Sequence, residues 1–318
     1  MMGNKMRTKA EMVNTRHKTV LLQETIDGLN LHNDAVVVDG TFGGGGHSIE
    51  ICKKYKNVKI ITLDQDKSVF EKAEEKFKAL DCDITFVNAN FRDIDKILNK
   101  VLRKKNIQSV DAIIFDLGLS SDQLENSGRG FSFLNNEPLL MTMKENPGRE
   151  DLTAQDIVNT WSEKSLADII YGYGEEKFSR RIARAIVEAR AKKKIETSFD
   201  LVKVIERAVP SAYRRGKISK KIHCATRTFQ AIRIAVNDEL GALSLGLEKG
   251  FNALRASGRM AVITFHSLED RIVKKFFIKK AKNNEAILIQ KKPITASEEE
   301  LKNNPRARSA KLRIIQKI

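Results

Sequence analysis

Residues 35–48 read Ala35-Val-Val-Val-Asp39-Gly-Thr-Phe-Gly43-Gly-Gly-Gly46-His-Ser48, a β-branched run that ends in a carboxylate and breaks into glycines before a helical pattern. This order predicts a turn at the carboxyl edge of a parallel sheet, the edge at which open α/β folds bind ligands. Four consecutive glycines, Gly43 to Gly46, remove every Cβ, so backbone amides can approach a flat or extended ligand closely. The loop does not fit the dinucleotide fingerprint: starting at Gly43 or Gly44, the third required glycine falls on Ser48 or Ile49. No G-x-x-x-x-G-K-[ST] run occurs either, which removes the P-loop class.

Working outward, β-branched runs at 58–64 (VKIITLD), 84–88 (ITFVN) and 110–116 (VDAIIFD) alternate with helical patterns, the mark of parallel strands joined by crossover helices. Between Ser121 and about Ile222 strand signals give way to a Gly/Asn-rich loop and charged amphipathic helices, which predicts an inserted helical domain. One long helix is then expected through Phe229, Ile232, Val236, Leu240, Leu243 and Leu247, before strands return at 259–265, 286–290 and 311–315. Together with 35–39 these make seven strands. The polar stretch 291–308, with Pro293 and Pro305, reads as a long loop with a helical turn around 297–302.

Asp64, closing the second strand, has the position of a carboxylate that accepts both ribose hydroxyls of an adenosine. S-adenosyl-L-methionine is an adenosine without phosphates, and Asp39 with the Gly45-Gly46-His47 backbone can meet its ammonium and carboxylate. A nicotinamide cofactor is disfavoured by the glycine spacing.

In the chain of 318 residues, Lys and Arg number 57 against 41 Asp and Glu, a formal net charge of +16 that points to a polyanionic partner. Nucleic acid is favoured over a membrane surface, because the basic residues are spread over several helices and no apolar run approaches the roughly 20 residues of a bilayer span. Cys52, Cys82 and Cys224 are odd in number and outside any C-x-x-C pattern, so neither a zinc site nor a disulfide framework is expected, and a reducing cytoplasm fits. Residues 1–18 lack the apolar core of a secretory signal and read as a basic tail.

The segments VDGTFGGGGHS, FDLGLSSDQL, RGFSF, YGEEKFSRRIARAI, ATRTFQAIRIAVNDEL, TFHSLEDRIVKKFF and NPRARSAKLR carry a resemblance across nearly the whole chain. The sequence resembles the RsmH/MraW family of bacterial small-subunit ribosomal RNA methyltransferases. The resemblance implies a Rossmann-like seven-stranded class I S-adenosylmethionine-dependent methyltransferase fold, with an all-helical domain inserted at 125–222 between methyltransferase parts 19–124 and 223–318. It implies methylation of the N4 amine of a decoding-centre cytosine in 16S rRNA of the small subunit, with no metal, and it suggests a homodimer. Cofactor contacts carried over by position fall on Gly45, Gly46, His47, Asp64, Phe91, Asp116 and Gln123. A departure lies at 138–144, Pro-Leu-Leu-Met-Thr-Met-Lys, where the family has Pro-Leu-Asp-Met-Arg-Met-Asp. Leu140, Thr142 and Lys144 therefore support an alternative, a cofactor-binding ribosome-assembly factor that has lost turnover.

Methyl transfer to an exocyclic amine needs in-line positioning and acceptors for its N–H groups. Asp116, with the Leu117 carbonyl beside it and Ser120 in the same run, is the expected catalytic group, and His266 is the expected proton acceptor. Ser267 with Asp270 three residues on reads as the cap of the helix that follows. A reactive base must be splayed out against an aromatic face, for which Phe131 and Phe133 in RGFSF are available beside Arg129. Arg180 and Arg184 off the apolar stripe of their helix, Arg214, Arg215 and Lys217 in a basic run, and Arg306 and Arg308 near the carboxyl end are expected phosphate contacts.

Overall fold

The computed structural model describes residues 18–80, 82–214 and 222–318, so all of the expected tail but Lys18, and the expected phosphate contacts Arg215 and Lys217, lie outside the described residues. Seven strands form one sheet: β1 Val36–Asp39, β2 Lys59–Asp64, β3 Asp83–Asn88, β4 Val110–Asp116, β5 Leu254–Thr264, β6 Ala286–Leu288 and β7 Lys311–Lys317. Their order is β3-β2-β1-β4-β5-β7-β6. The pairs from β3 through β5 are parallel, whereas β7 runs antiparallel to both β5 and β6. This is the seven-stranded α/β sheet expected from the sequence.

The strands of the parallel part are apolar on both faces because helices cover both. Val37, Ile60, Ala112, Ile114 and Ile263 pack on one side, and Val38, Ile61, Ile113, Phe115 and Val262 on the other. Full burial of each such β-branched side chain contributes about 1.5–3 kcal/mol, which fixes the register and with it the row of strand ends at the carboxyl edge. The order reverses direction beside β1, where chains leave toward β2 on one hand and β4 on the other. A crevice forms at that point.

The segment after β4 builds a third apolar cluster of its own. Ile157, Leu166, Ile170, Ile182, Ile186, Leu201 and Ile205 pack together and are joined by Phe229 and Ile232 from the helix Thr226–Asn237. Thr153 with Asp156 and Thr197 with Asp200 form capping boxes that start two of its helices. Phe178 is part-buried and Ile182 and Ile186 are buried on the stripe read from the sequence, while Arg180 and Arg184 stay exposed.

Three expectations are corrected. Cys52 and Cys82 form a disulfide with a Cα–Cα separation of 5.7 Å, because the helix Gly46–Lys54 and the start of β3 bring two cysteines 30 residues apart side by side. The single long helix is two, Thr226–Asn237 and Glu239–Ala253, broken at Asp238 in the left-handed region at φ 46°. The cap of the helix Ser267–Lys282 is His266 with Glu269, one residue earlier than read, since His266 holds the extended backbone that a cap requires.

Candidate active site

A cavity of about 620 Å³ opens at the carboxyl edge, floored by the glycine loop, Asp64 and Asp116 and covered by Phe131, Phe133 and Phe229 of the helical segment. Asp64 ends β2 and accepts hydrogen bonds from the amides of Gly43 at 2.8 Å and Asp66 at 2.9 Å. Burial pushes its carboxyl up to about 6, against those two amides, which pull it down. Gly40, Gly43, Gly44 and Gly46 line the cavity with backbone alone. A Cβ on Gly46 would lie 1.7 Å from Thr19 Oγ1, so the loop and the segment before the first helix close together only because that atom is missing.

Asp39 and Gly45 are not among the residues that line the cavity. Asp39 is buried beneath the loop, where it accepts from Ser48 Oγ at 2.7 Å and from the Thr41 amide at 3.3 Å. Burial pushes it up to about 6, with both hydrogen bonds opposing. Gly45 opens the helix Gly46–Lys54 at φ 73° and turns toward Phe42 and Phe77. Both residues shape the loop; His47, Phe91 and Gln123, expected cofactor contacts, line the cavity. Phe91 is braced by Phe115 at a ring separation of 5.0 Å, and Gln123 is fixed by a capping box in which its Oε1 accepts from the Ser120 amide at 3.0 Å. Ser120, also at the cavity, returns the bond by accepting from the Gln123 amide at 3.1 Å.

Asp116 ends β4 on the other wall. Its amide donates to Thr41 Oγ1 at 2.5 Å, its Oδ2 lies 3.9 Å from His47 Nδ1, and its Oδ1 is buried with no hydrogen-bond partner among the described residues. Burial, then the negative charges of Asp39 and Glu269, push this carboxyl up to about 8. A buried acceptor lacking a donor costs about 1–3 kcal/mol unless a ligand supplies one.

Facing it is a group of residues that sequence reasoning missed: Arg233, Asn237, Glu239 and Glu269, all lining the cavity. Arg233 makes two hydrogen bonds of 2.8 Å to the carboxylate of Glu239. Glu269 accepts from the Phe265 amide at 2.9 Å and lies 3.2 Å from His266 Nε2. Burial pushes Glu269 up, but the hydrogen bond of His266, the Phe265 amide and the Arg233 charge together hold it below the usual carboxylate range. His266 Nδ1 accepts from the Glu269 amide at 3.4 Å, so its role as the cap assigns the proton to Nε2. The signal that could have found Arg233, Asn237 and Glu239 was polar residues interrupting an apolar helical stripe in FQAIRIAVNDEL; Glu269 lies outside it, in the first turn of the helix Ser267–Lys282.

The segment 138–144 runs as a strap along the insertion side of the cavity. Asn237 holds it at two points, accepting from the Met143 amide at 2.8 Å and donating to the Met141 carbonyl at 2.8 Å, and Met143 lines the cavity. Thr142 is buried, whereas Lys144 is exposed and ion-paired with Asp151. The Leu140 carbonyl accepts from the Ala154 amide at 2.8 Å. Each departing position thus has a defined local environment.

Arg129, read beside Phe131 and Phe133 as an RNA-binding residue, does not present a free cation. It is buried, ion-paired with Asp66 and hydrogen-bonded to the Met143 carbonyl at 3.1 Å, so its guanidinium is committed to the strap. Phe131 and Phe133 reach the cavity, with Phe133 stacked on His223 at 4.7 Å. Arg306 stands at the cavity mouth in an ion pair with Glu125. Arg308 and Arg214 are exposed, and Arg184 lies 3.8 Å from Glu163 on the outer face of the insertion. No helix of the described residues is long and apolar enough to cross a membrane.

The profile of the MraW methylase family matches residues 14–318. The chain is 46% identical over 319 residues to the ribosomal RNA small subunit methyltransferase H of Clostridium botulinum strain Kyoto, covering 95% of this chain and 99% of that protein. It is 47% identical over 321 residues to the protein of the same name from Acetivibrio thermocellus, with the same coverage. The solved structure of an rRNA methylase from Streptococcus thermophilus overlaps 95% of this chain and 98% of that one at 9% identity and a TM-score of 0.41, a distance at which the overlap carries no argument.

Proposed function

The chain belongs to the MraW methylase family, and from that premise we propose that it transfers a methyl group from S-adenosyl-L-methionine to the N4 amine of a decoding-centre cytosine in 16S rRNA. The observation that carries the cofactor half of this reading is Asp64, which ends β2 at the cavity with two backbone donors on its carboxylate oxygens among the described residues, beside a wall of glycine backbone. Remaining acceptor capacity on that carboxylate suits the paired hydroxyls of a ribose, and the cavity volume suits a nucleoside with a short charged tail. Phe91 gives the adenine an apolar wall, and Gln123 gives it a polar edge. S-adenosyl-L-methionine, when bound, supplies an electrophilic methyl group on a sulfonium.

What this chain does for the reaction is placement and charge. Asp116 stands at the sheet edge with a free acceptor oxygen, able to take an N–H of the incoming amine and help localise its lone pair once ionised. The Leu117 carbonyl is the neighbouring acceptor in the same run. His266 stands across the cavity, but with Nδ1 engaged by the Glu269 amide and the proton on Nε2 it offers no lone pair, which leaves the ionised Asp116 carboxylate as the acceptor for the proton released on methylation. Phe131 and Phe133 offer aromatic faces for a splayed base, and the apolar cover excludes water from the transfer.

The two relatives' names supply the small-subunit rRNA substrate, and the +16 charge supports a polyanion of that kind. We place the reaction in the cytoplasm, where ribosomal subunits are assembled. The test is incubation of the protein with small ribosomal subunits and tritiated S-adenosyl-L-methionine, followed by nucleoside mass spectrometry of the 16S rRNA. Label in N4-methylated cytidine is expected; binding without label would favour the assembly-factor alternative, and label in another nucleoside would overturn the acceptor assignment.

A further inference from the structure

We propose that Leu134 is a wedge that enters the RNA stack beside the target cytosine and holds the base out in the cavity. The proposal rests on the reading of the protein as an rRNA base methyltransferase. Leu134 is 80% exposed, the most exposed large hydrophobic side chain among the described residues, and it lies on the wall of the cavity next to Phe133. An exposed leucine alone needs no explanation. This one sits on a backbone that is pinned on both sides.

Upstream, the Leu134 amide donates to Ser132 Oγ at 3.1 Å. Downstream, Ser198 Oγ donates to the Asn135 carbonyl at 2.7 Å and accepts from the Glu137 amide at 3.1 Å, tying the turn to the start of the helix Ser198–Ala208. The Glu137 side chain closes the loop by accepting from the Gly130 amide at 2.9 Å. An apolar side chain is therefore held outward, in water, at the rim of a cavity whose aromatic lining suits a base. Extracting a base from a stack leaves a gap, and an apolar side chain that fills it offsets part of the unstacking cost. Leucine carries no charge to interact with phosphate, so its chemistry fits the faces of neighbouring bases, not their backbone.

The test compares the parent chain with Leu134→Ala and Leu134→Met, reading methyl transfer into small ribosomal subunits and calorimetric affinity for S-adenosylhomocysteine. Leu134→Ala is expected to lower kcat/KM for the subunits about tenfold while its thermal midpoint and its affinity for S-adenosylhomocysteine match the parent. Leu134→Met, which keeps an apolar wedge of similar length, is expected to stay within about twofold. Transfer by Leu134→Ala within twofold of the parent would overturn the proposal. So would an equal loss in both variants, or a loss of cofactor affinity, since either means that the side chain supports the loop. Failure of the parent itself to label the subunits removes the methyltransferase reading, a result separable from failure of the wedge.

Discussion

At the scale of single residues, the site is a set of carboxylates whose surroundings separate their tasks. Asp64 and Asp116 end β2 and β4, the strands on either side of β1, yet two amides meet the first while one oxygen of the second has no partner among the described residues, and burial carries them to about 6 and about 8. Asp64 can accept on both oxygens from its two amides and a ribose hydroxyl pair only when ionised. Affinity for S-adenosylhomocysteine, followed by calorimetry from pH 5 to pH 8, is therefore expected to be flat above pH 7 and to fall by up to about tenfold per unit below pH 6, with Asp64→Asn weak throughout. For Asp116 the sign is the same but the window is higher: protonated below about 8, it is a weaker acceptor for an amine N–H and cannot take its proton. The kcat/KM for small subunits, which reports the free enzyme, is expected to rise with pH until about 8, and Asp116→Asn is expected to flatten that rise at a level at least about a hundredfold lower.

At the scale of elements, the strap 138–144 and the elbow at Asp238 hold the acceptor side of the cavity together. Asn237, the last residue before the elbow, bonds the strap at Met141 and Met143. Asn237→Ala is expected to lower unfolding stability by about 1–3 kcal/mol in urea titration, the worth of two hydrogen bonds plus a stranded amide, and to raise KM for subunits more than for cofactor. The elbow also shows why part of the site was hidden in the sequence. The strands, the glycine loop and Asp64 were legible because β-branched runs and glycine punctuation are local signals. Arg233, Asn237 and Glu239 were not, because the apolar period continues through Asp238 and gives no sign that the chain turns there, and Glu269 was not, because it joins them only through the packing of a separate helix. The disulfide was missed for a similar reason: Cys52 and Cys82 meet only through the packing of a helix against an edge strand. The burial of Arg129 was hidden too, because its ion-pair partner Asp66 lies 63 residues away in sequence.

At the scale of the whole molecule, a basic chain presents its cavity between a nucleotide-type sheet and a helical cluster that carries exposed arginines. Arg180 and Arg184 lie on the outer face of that cluster, clear of the cavity. If they meet rRNA phosphates, Arg180→Gln with Arg184→Gln will weaken subunit binding and flatten the plot of log affinity against log salt by about two, measured by filter binding across salt concentrations. Cofactor affinity is expected to be unchanged in the same variant, because the two surfaces are separate. The account rests most heavily on what the crevice beside β1 holds. Calorimetric titration of the purified protein with S-adenosylhomocysteine and, separately, with NAD tests that directly: one site per chain for S-adenosylhomocysteine, lost in Asp64→Ala, and no heat with NAD is the predicted result, whereas saturable binding of NAD, or S-adenosylhomocysteine binding that survives Asp64→Ala unchanged, would contradict it.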